Sequence, residues 1–349
     1  MADYGTRQTD EAVKRAERRL RRVYQEAQAD MAGKLKAWLE AHKRREARYR
    51  QMVADGKMSQ EDFNAWMRGQ VFQGKQWQAR KAELDKVLLD ADRQAVRIVN
   101  EGKIGVFVDN ANYIGYGLEH DMRIDSGFTL YDENTVARLI NDDPQILPLP
   151  APGVVKDKAF PYYNKLISSA ITQGILQGET IPEIAMRIMR KTGESSYKTA
   201  VRNARTAYTG AQNAGRIEGL HQAQQLGIEV KKKWLATLDK RTRDTHRDLD
   251  GQVRDVDEPF QVDGEEIRFP GDPTAKPGLV YNCRCTLTYV YPKYNQGVLR
   301  TRDGLQLLVQ TQHGEPRRDN ETGKDVGAMT YREWEKWKIE KAQMYGLIK

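Results

Sequence analysis

The sequence predicts an α+β protein that is mostly helical. It has a long N-terminal helical hairpin, a central helical bundle followed by a small irregular β-rich subdomain, and a helical C-terminal tail. Three observations carry this expectation. From Thr9 to Tyr49, and again from Ser59 to Ile98, apolar residues recur every three or four positions, the period of an amphipathic helix. The stretch 195–226 is rich in small residues and continues the helical pattern. Between Glu229 and Tyr291 the pattern changes to short β-branched and aromatic runs punctuated by Asp-Gly and Pro-Gly turns. Helices first and a sheet afterwards is the order of an α+β chain.

In the first helix Val13, Ala16, Leu20, Val23, Ala27, Met31, Leu35 and Trp38 form the apolar stripe, and only Gly33 interrupts it. Such a rod would be about 60 Å long at 1.5 Å per residue. Asp55-Gly56-Lys57 breaks it, and Ser59 with Asp62 three residues on reads as a capping box for a second helix. That helix carries Phe63, Trp66, Val71, Trp77, Leu84, Val87 and Leu88 toward a stop near Gly102, with Gly69 and Gly74 as candidate interruptions. The two helices are expected to lie antiparallel. Residues 1–103 are therefore read as a basic hairpin arm.

Residues 104–158 are read as a mixed connector. Ile104–Val108 resembles a short strand, Asp132 caps a brief helix through Ile140, and Pro144, Pro148, Pro150 and Pro152 make an extended linker. Glu119, His120, Asp121 and Asp125 are read as loop residues. Residues 159–292 form the next domain: helices over Tyr162–Gln177 and Pro182–Lys191, then a third helix capped by Ser195 or Ser196 and running through Leu226. Its small residues, Ala200, Ala204, Ala207, Gly210, Ala211, Ala214 and Gly215, permit a close neighbour. Arg202, Arg205, Asn213 and Glu218 lie on or beside one face, as an anion site or as a semi-buried salt-bridge network. A strand is expected over Glu229–Leu238. In the tail, 293–349, Leu305–Val309 resembles a strand, and Thr330 with Glu333 caps a helix whose Trp334 and Trp337 would dock onto the N-terminal hairpin or a partner.

Composition limits the function classes. The 349 residues suggest two or three domains. Hydrophobic residues are 39% and charged residues 30%, which suits a modest core with long solvated helices. There is no charged-then-apolar leader and no apolar run near the ~20 residues of a membrane span. A soluble product made in a host cytoplasm, with no membrane partner, is expected. Two cysteines exclude a disulfide scaffold. Of the net charge of +8, residues 1–103 supply most, with 23 Lys and Arg against 16 Asp and Glu. Non-specific contact with DNA through this arm is the polyanion reading; a solvated face laced with pairs such as Glu40–Arg44 is the other.

The chemistry-bearing residues gather in Trp234–Tyr291. Trp234 to Asp239 reads as a strand ending on an acid, and Arg241 to Gly251 as a short polar helix or turn closed by Asp250-Gly251. Asn282-Cys283-Arg284-Cys285 holds both cysteines of the chain. A Cys283–Cys285 disulfide would be forced from its preferred geometry. Two thiols and the imidazole of His246 are instead a ligand set for Zn²⁺, with Asp239, Asp244, Asp248 or Asp250 as a fourth donor. The alternative is that both cysteines are small side chains packed beside a strand. Neither a paired C-x-x-C nor an H-x-x-x-H is present.

An ordered set of motifs carries a resemblance: Ala200 to Gly215, Trp234 to Asp239, His246, Leu249-Asp250-Gly251, and Asn282-Cys283-Arg284-Cys285. Over about residues 160 to 292 the chain resembles the Mu F-like phage minor head (head morphogenesis) protein family. Many relatives carry a Cys-x-x-Cys where this chain has Arg243-Asp244-Thr245-His246, and a His-Pro where it has Val280-Tyr281; here His246 is the metal-type side chain that remains. The resemblance implies a minor capsid protein of the virion, inside the capsid at the portal vertex. It further implies a portal partner, with the major capsid or scaffold protein as further candidates, and a role in head assembly and DNA packaging or delivery. It makes Trp234, Asp239, Asp250, Gly251 and Asn282 structural motif residues. The competing reading is a metal-dependent hydrolase or nuclease, or a toxin-like enzyme, using His246, Cys283 and Cys285 with Asp239 and Asp250 nearby. No Gly-rich phosphate loop, H-E-x-x-H or G-x-S-x-G supports it.

Overall fold

A computed structural model describes residues 3–72, 75–123, 125–142, 181–291 and 325–346. Helices predominate: α1 (Tyr4–Ala54), α2 (Gln60–Phe72), α3 (Lys75–Met122), α4 (Glu133–Asp142) and α5 (Ile181–Gln225). The β-rich part follows as β1 (Lys231–Leu235), α6 (Asp244–Leu249), β2 (Val253–Arg254), β3 (Phe260–Val262), β4 (Glu265–Ile267), α7 (Pro277–Val280) and β5 (Thr286–Val290). A 3-10 turn (Val326–Ala328) leads into α8 (Tyr331–Met344). This is the mostly helical α+β architecture expected from the sequence.

The chain forms two compact units. One comprises Glu17–Ile98 and Pro150–Val201; the other comprises Met1–Ala16, Val99–Leu149 and Arg202–Lys349. In the first, Leu20, Tyr24, Ala27 and Met31 of α1 are buried, as are Leu84, Leu88, Ala91 and Ala95 of α3. Tyr24 donates to Asp92 at 2.5 Å, and Lys34 lies near Glu83, so the two helices run antiparallel here. Gly56, at φ +67°, turns the chain after α1. The backbone N–H of Asp62 donates to Ser59 Oγ at 3.0 Å, the cap the sequence announces for α2. The side chains of Trp38, Val71 and Trp77 lie outside those described.

Four expectations are corrected. Ile104–Val108 is no strand but part of α3, which runs past Gly102 to Met122. A Cβ on Gly102 would collide with the ring of Tyr208, so this glycine admits a neighbouring side chain and does not end the helix. Lys103, the last residue of the expected arm, accordingly lies in mid-helix. Pro182–Lys191 and 195–226 are not two helices but the single α5, in which Gly193 makes room for Gln28. Glu119, His120 and Asp121 are helical, not loop residues. The expected strand over Glu229–Leu238 is real but shorter. Tyr162–Gln177, the proline-rich linker, Leu305–Val309 and the boundaries at 158 and 292 fall outside the described residues.

In the second unit β2, β1 and β5 form an antiparallel sheet in that order, with Trp234 opposite Leu287 and Lys232 opposite Tyr289. β3 and β4 form a separate hairpin. Its turn, Asp263-Gly264, has φ of 50° and 73°, the positive pair that a two-residue hairpin demands. The sheet packs through Val230, Val256 and Tyr291 onto Ile114 and Leu118 of α3 and Leu220 and Ala223 of α5. Asp132 caps α4 as expected, accepting from the backbone N–H of Thr135 at 3.0 Å.

The terminal helix also belongs to this unit. The Thr330/Glu333 capping box is formed. Trp334 and Trp337 are fully buried with Phe128, Val326 and Tyr331, and Tyr4, Tyr113 and Tyr116 pack around them. They dock on this chain's own helices. Glu119 is the polar anchor beneath: it accepts from Trp334 Nε1 at 2.7 Å, from Lys338 Nζ at 2.9 Å and from the backbone N–H of Phe128 at 3.1 Å. Asp125 takes Lys338 at 2.7 Å and Lys341 at 2.5 Å.

Candidate functional site

The site is assembled on β1. Alternation along Lys231–Leu235 turns Lys232 and Trp234 inward, where both are buried. The Lys232 ammonium donates to the Arg268 carbonyl at 3.0 Å and lies 5.1 Å from the Phe260 ring centre. Burial pushes its pKa down to about 8. Trp234 packs edge-on against Phe260 and His246, with centroids 5.3 and 5.9 Å apart.

Asp250-Gly251 closes α6 as the sequence predicts. Gly251 has φ +79°, its N–H donates to the Trp234 carbonyl at 2.9 Å, and Asp250 Oδ1 accepts from the Ala236 N–H at 2.8 Å. This pins α6 to β1 and turns His246 and Leu249 into the interior. From the other side Asn282, in the left-handed region at φ 55°, swings the chain from α7 into β5. Asparagine tolerates that conformation better than most residues. Its N–H donates to Thr206 Oγ1 of α5 at 3.2 Å.

These bends bring His246, Cys283 and Cys285 together, all buried, with their ligand atoms within 4.8 Å of one another. His246 Nδ1 is 3.2 Å from Cys285 Sγ and 3.6 Å from Cys283 Sγ, and Nε2 is 2.9 Å from the Leu279 carbonyl oxygen. A carbonyl only accepts, so Nε2 carries a proton, and Nδ1 is the ring nitrogen turned toward both sulfurs. Both cysteines are free thiols. Cys283 and burial act on the Cys285 thiol in opposite directions; the hydrogen bond from Cys283 prevails and, with His246 assisting, brings its pKa down to about 5. Cys283 shifts well up, because it hydrogen-bonds Cys285 and is buried. Of the two thiols Cys285 is therefore the more acidic and Cys283 the one that keeps its proton.

The donor set fits zinc. A tetrahedral ion with ordinary Zn–N and Zn–S bonds separates nitrogen from sulfur by roughly 3.6 Å. The Leu279 carbonyl orients the imidazole as an outer-shell partner does. Among the described residues no acid joins the three. Asp239 binds Arg284 at 2.5 and 2.7 Å, and that guanidinium holds its carboxyl well below the usual range. Asp250 caps the Ala236 N–H, and Asp244 is fully exposed.

Helix α5 supplies Thr209 and Arg216, which the sequence reading missed, beside Asn213, which it named without its partners. Asn213 donates to the Pro270 carbonyl at 3.1 Å and the Cys285 carbonyl at 3.3 Å, and accepts from the Leu287 N–H at 2.8 Å. Arg216 donates to the Leu287 carbonyl at 2.7 Å. Together they complete the open edge of β5 with side-chain bonds. Thr209 Oγ1 donates to the Cys283 carbonyl at 3.0 Å. The four polar residues expected to share one role do not: Arg202 stacks on the Tyr281 ring at 4.9 Å, and Glu218 accepts from Tyr131 at 3.0 Å. The signal for Arg216 was its place three residues after Asn213, a long cation within a run of small residues.

The result is a small antiparallel sheet held by a small-residue helix and centred on a cysteine–histidine knot. Residues 165–288 match the family described as Phage Mu protein F like protein. The chain is 31% identical over 236 residues to the minor head protein GP7 of Bacillus phage SPP1, covering 66% of this chain and 74% of that protein. It is 33% identical over 223 residues to a protein of Enterococcus faecalis named NAD(+)–arginine ADP-ribosyltransferase EFV, covering 63% of this chain. It spans only 40% of that protein's length. The chain belongs to the Mu F-like family of phage minor head proteins. No solved structure matches it. Among the described residues no helix is long and apolar enough to cross a membrane.

Proposed function

We propose that this protein is a minor capsid protein that sits inside the phage head at the portal vertex, binds the portal, and assists head assembly and DNA packaging or delivery. The observation that carries the reading is the likeness to minor head protein GP7 over most of that protein's length. The site supports it: His246 is buried, Asp239 is neutralised by Arg284, and Asp250 is committed to a backbone N–H, so the knot reads as a holder of shape. His246, Cys283 and Cys285 would hold Zn²⁺, which supplies a cross-link between α6 and the start of β5. Major capsid or scaffold protein is a further partner. The basic arm, residues 1–103, contacts packaged DNA without sequence preference, binding that fades as salt is raised.

The test is co-expression with the portal protein, followed by isolation of the portal ring. The chain is expected to co-purify with the ring; a ring recovered without it overturns the reading. A second reading, a metal-dependent hydrolase or nuclease or a toxin-like enzyme, is favoured by the name of the enterococcal relative. Turnover of nucleic acid or NAD⁺ that disappears in His246→Ala while the protein stays folded would establish it.

A further inference from the structure

Three large apolar side chains stand out from the surface beside the knot. Leu235, Leu238 and Tyr281 are 38%, 64% and 41% exposed. They belong to two segments, 235–243 and 281–284, that are bonded to each other. Thr237 Oγ1 donates to the Arg284 carbonyl at 2.7 Å, Arg284 pairs with Asp239 through both guanidinium nitrogens, and Arg243 donates to the Tyr281 carbonyl. Within the first segment the Arg241 N–H donates to Asp239 Oδ1 at 2.8 Å, and Arg247 reaches the Asp239 carbonyl at 3.1 Å. Leu238 thus projects from a loop whose backbone is fixed on both sides.

That rigidity matters physically. An exposed leucine on a slack loop gains little from a partner, because ordering the loop consumes the gain; on a pre-ordered loop the burial is realised in full. The charge at the fringe decides what kind of partner fits. Asp239 is cancelled by Arg284 and the exposed Asp244 stands 4.0 Å from Arg247, which leaves Lys240 and Arg241 exposed next to Leu238, while the Arg202 guanidinium lies over Tyr281.

We infer that Leu235, Leu238 and Tyr281 are the face through which this protein docks onto its assembly partner. The occupant is an acidic segment whose aliphatic or aromatic side chains cover the apolar trio and whose carboxylates meet Lys240, Arg241 and Arg202. The inference rests on the portal reading above and assigns the contact to this face instead of the helical arm.

The experiment measures affinity of the full chain for purified portal ring, wild type beside Leu238→Asp, Tyr281→Ser and the double variant Lys240→Glu/Arg241→Glu. Each is expected to weaken binding by at least about tenfold, the scale of an exposed anchor or its matching charge. Thermal unfolding is expected to match the wild type, since these side chains are exposed. Should Leu238→Asp fail to fold, Leu238→Ser takes its place. Folded variants that bind the ring as tightly as the wild type overturn the face alone. A wild type with no affinity for the ring overturns both the face and the portal reading.

Discussion

Arg216 offers the sharpest test of how the second unit is held together. Its guanidinium is almost wholly buried and makes bonds to Asp3 (2.7 and 2.9 Å), to Asn110 Oδ1 (3.0 Å) and to the Leu287 carbonyl (2.7 Å). It therefore ties the start of α1, the middle of α3 and the edge of β5 to α5. Arg216→Met keeps most of the volume but strands the Asp3 carboxylate and the Leu287 carbonyl. Breaking one side of a buried ion pair costs about 3–5 kcal/mol, which corresponds to a drop in Tm on the order of 10 °C. Burial pushes the Asp3 carboxyl up, but the Arg216 hydrogen bonds and charge outweigh it and hold its pKa below 3.8. The stabilisation is thus complete above pH 3.8 and disappears as pH falls through the lower folded value. Denaturant unfolding of Arg216→Met, Asp3→Asn and the double variant reads the coupling directly. If Arg216→Met costs less than about 1 kcal/mol, the guanidinium is not the tie described here.

The remaining tests address the knot, the terminal helix and the helix crossing. Purified protein is expected to carry one zinc per chain, and chelation to lower Tm; Cys285→Ser should remove the metal and reproduce the chelated Tm, and a wild type free of metal would reduce the cluster to packed thiols. Burial raises Asp125, but Lys338 and Lys341 hold its pKa at about 2, so the clasp on α8 is at full strength above pH 3.8 and weakens toward pH 2; Lys338→Met, which leaves the Lys341 pair, should diminish that acid dependence in Trp fluorescence, and an unchanged pH profile would count against it. Gly215→Ala would push a methyl into the Phe107 carbonyl, costing about 1–3 kcal/mol of stability by overpacking; a neutral result would mean α3 and α5 are not in close contact there.

Much of this was legible in the sequence because the signals are local. The Ser59 and Thr330 caps, the Asp263-Gly264 turn and the change of period at Glu229 all depend on residues a few positions apart. So does the Asp250-Gly251 stop that closes α6; that His246 belongs with the two thiols was read from their ligand chemistry, and the bend at Asn282 that completes the approach is seen only in the fold. What escaped depends on distant partners. Gly102 looks like a helix stop, and the stretch around Gly193 like a break between two helices, until Tyr208 and Gln28 are seen lying against these glycines. Glu119 looks like a loop acid until Trp334, more than two hundred residues on, donates to it. Arg216 carries no local sign that its partner is Asp3. Trp334 and Trp337 showed the right helix, but whether they faced this chain or another was decided only by Tyr4, Tyr113 and Tyr116.

The most direct measurement is the protein content of purified virions, set against heads assembled without portal. An assembly component leaves a stable mark: the chain should be found in full virions at a few copies per particle and be missing from portal-less heads. Recovery of the chain only from the soluble lysate, with virions free of it, would contradict the account.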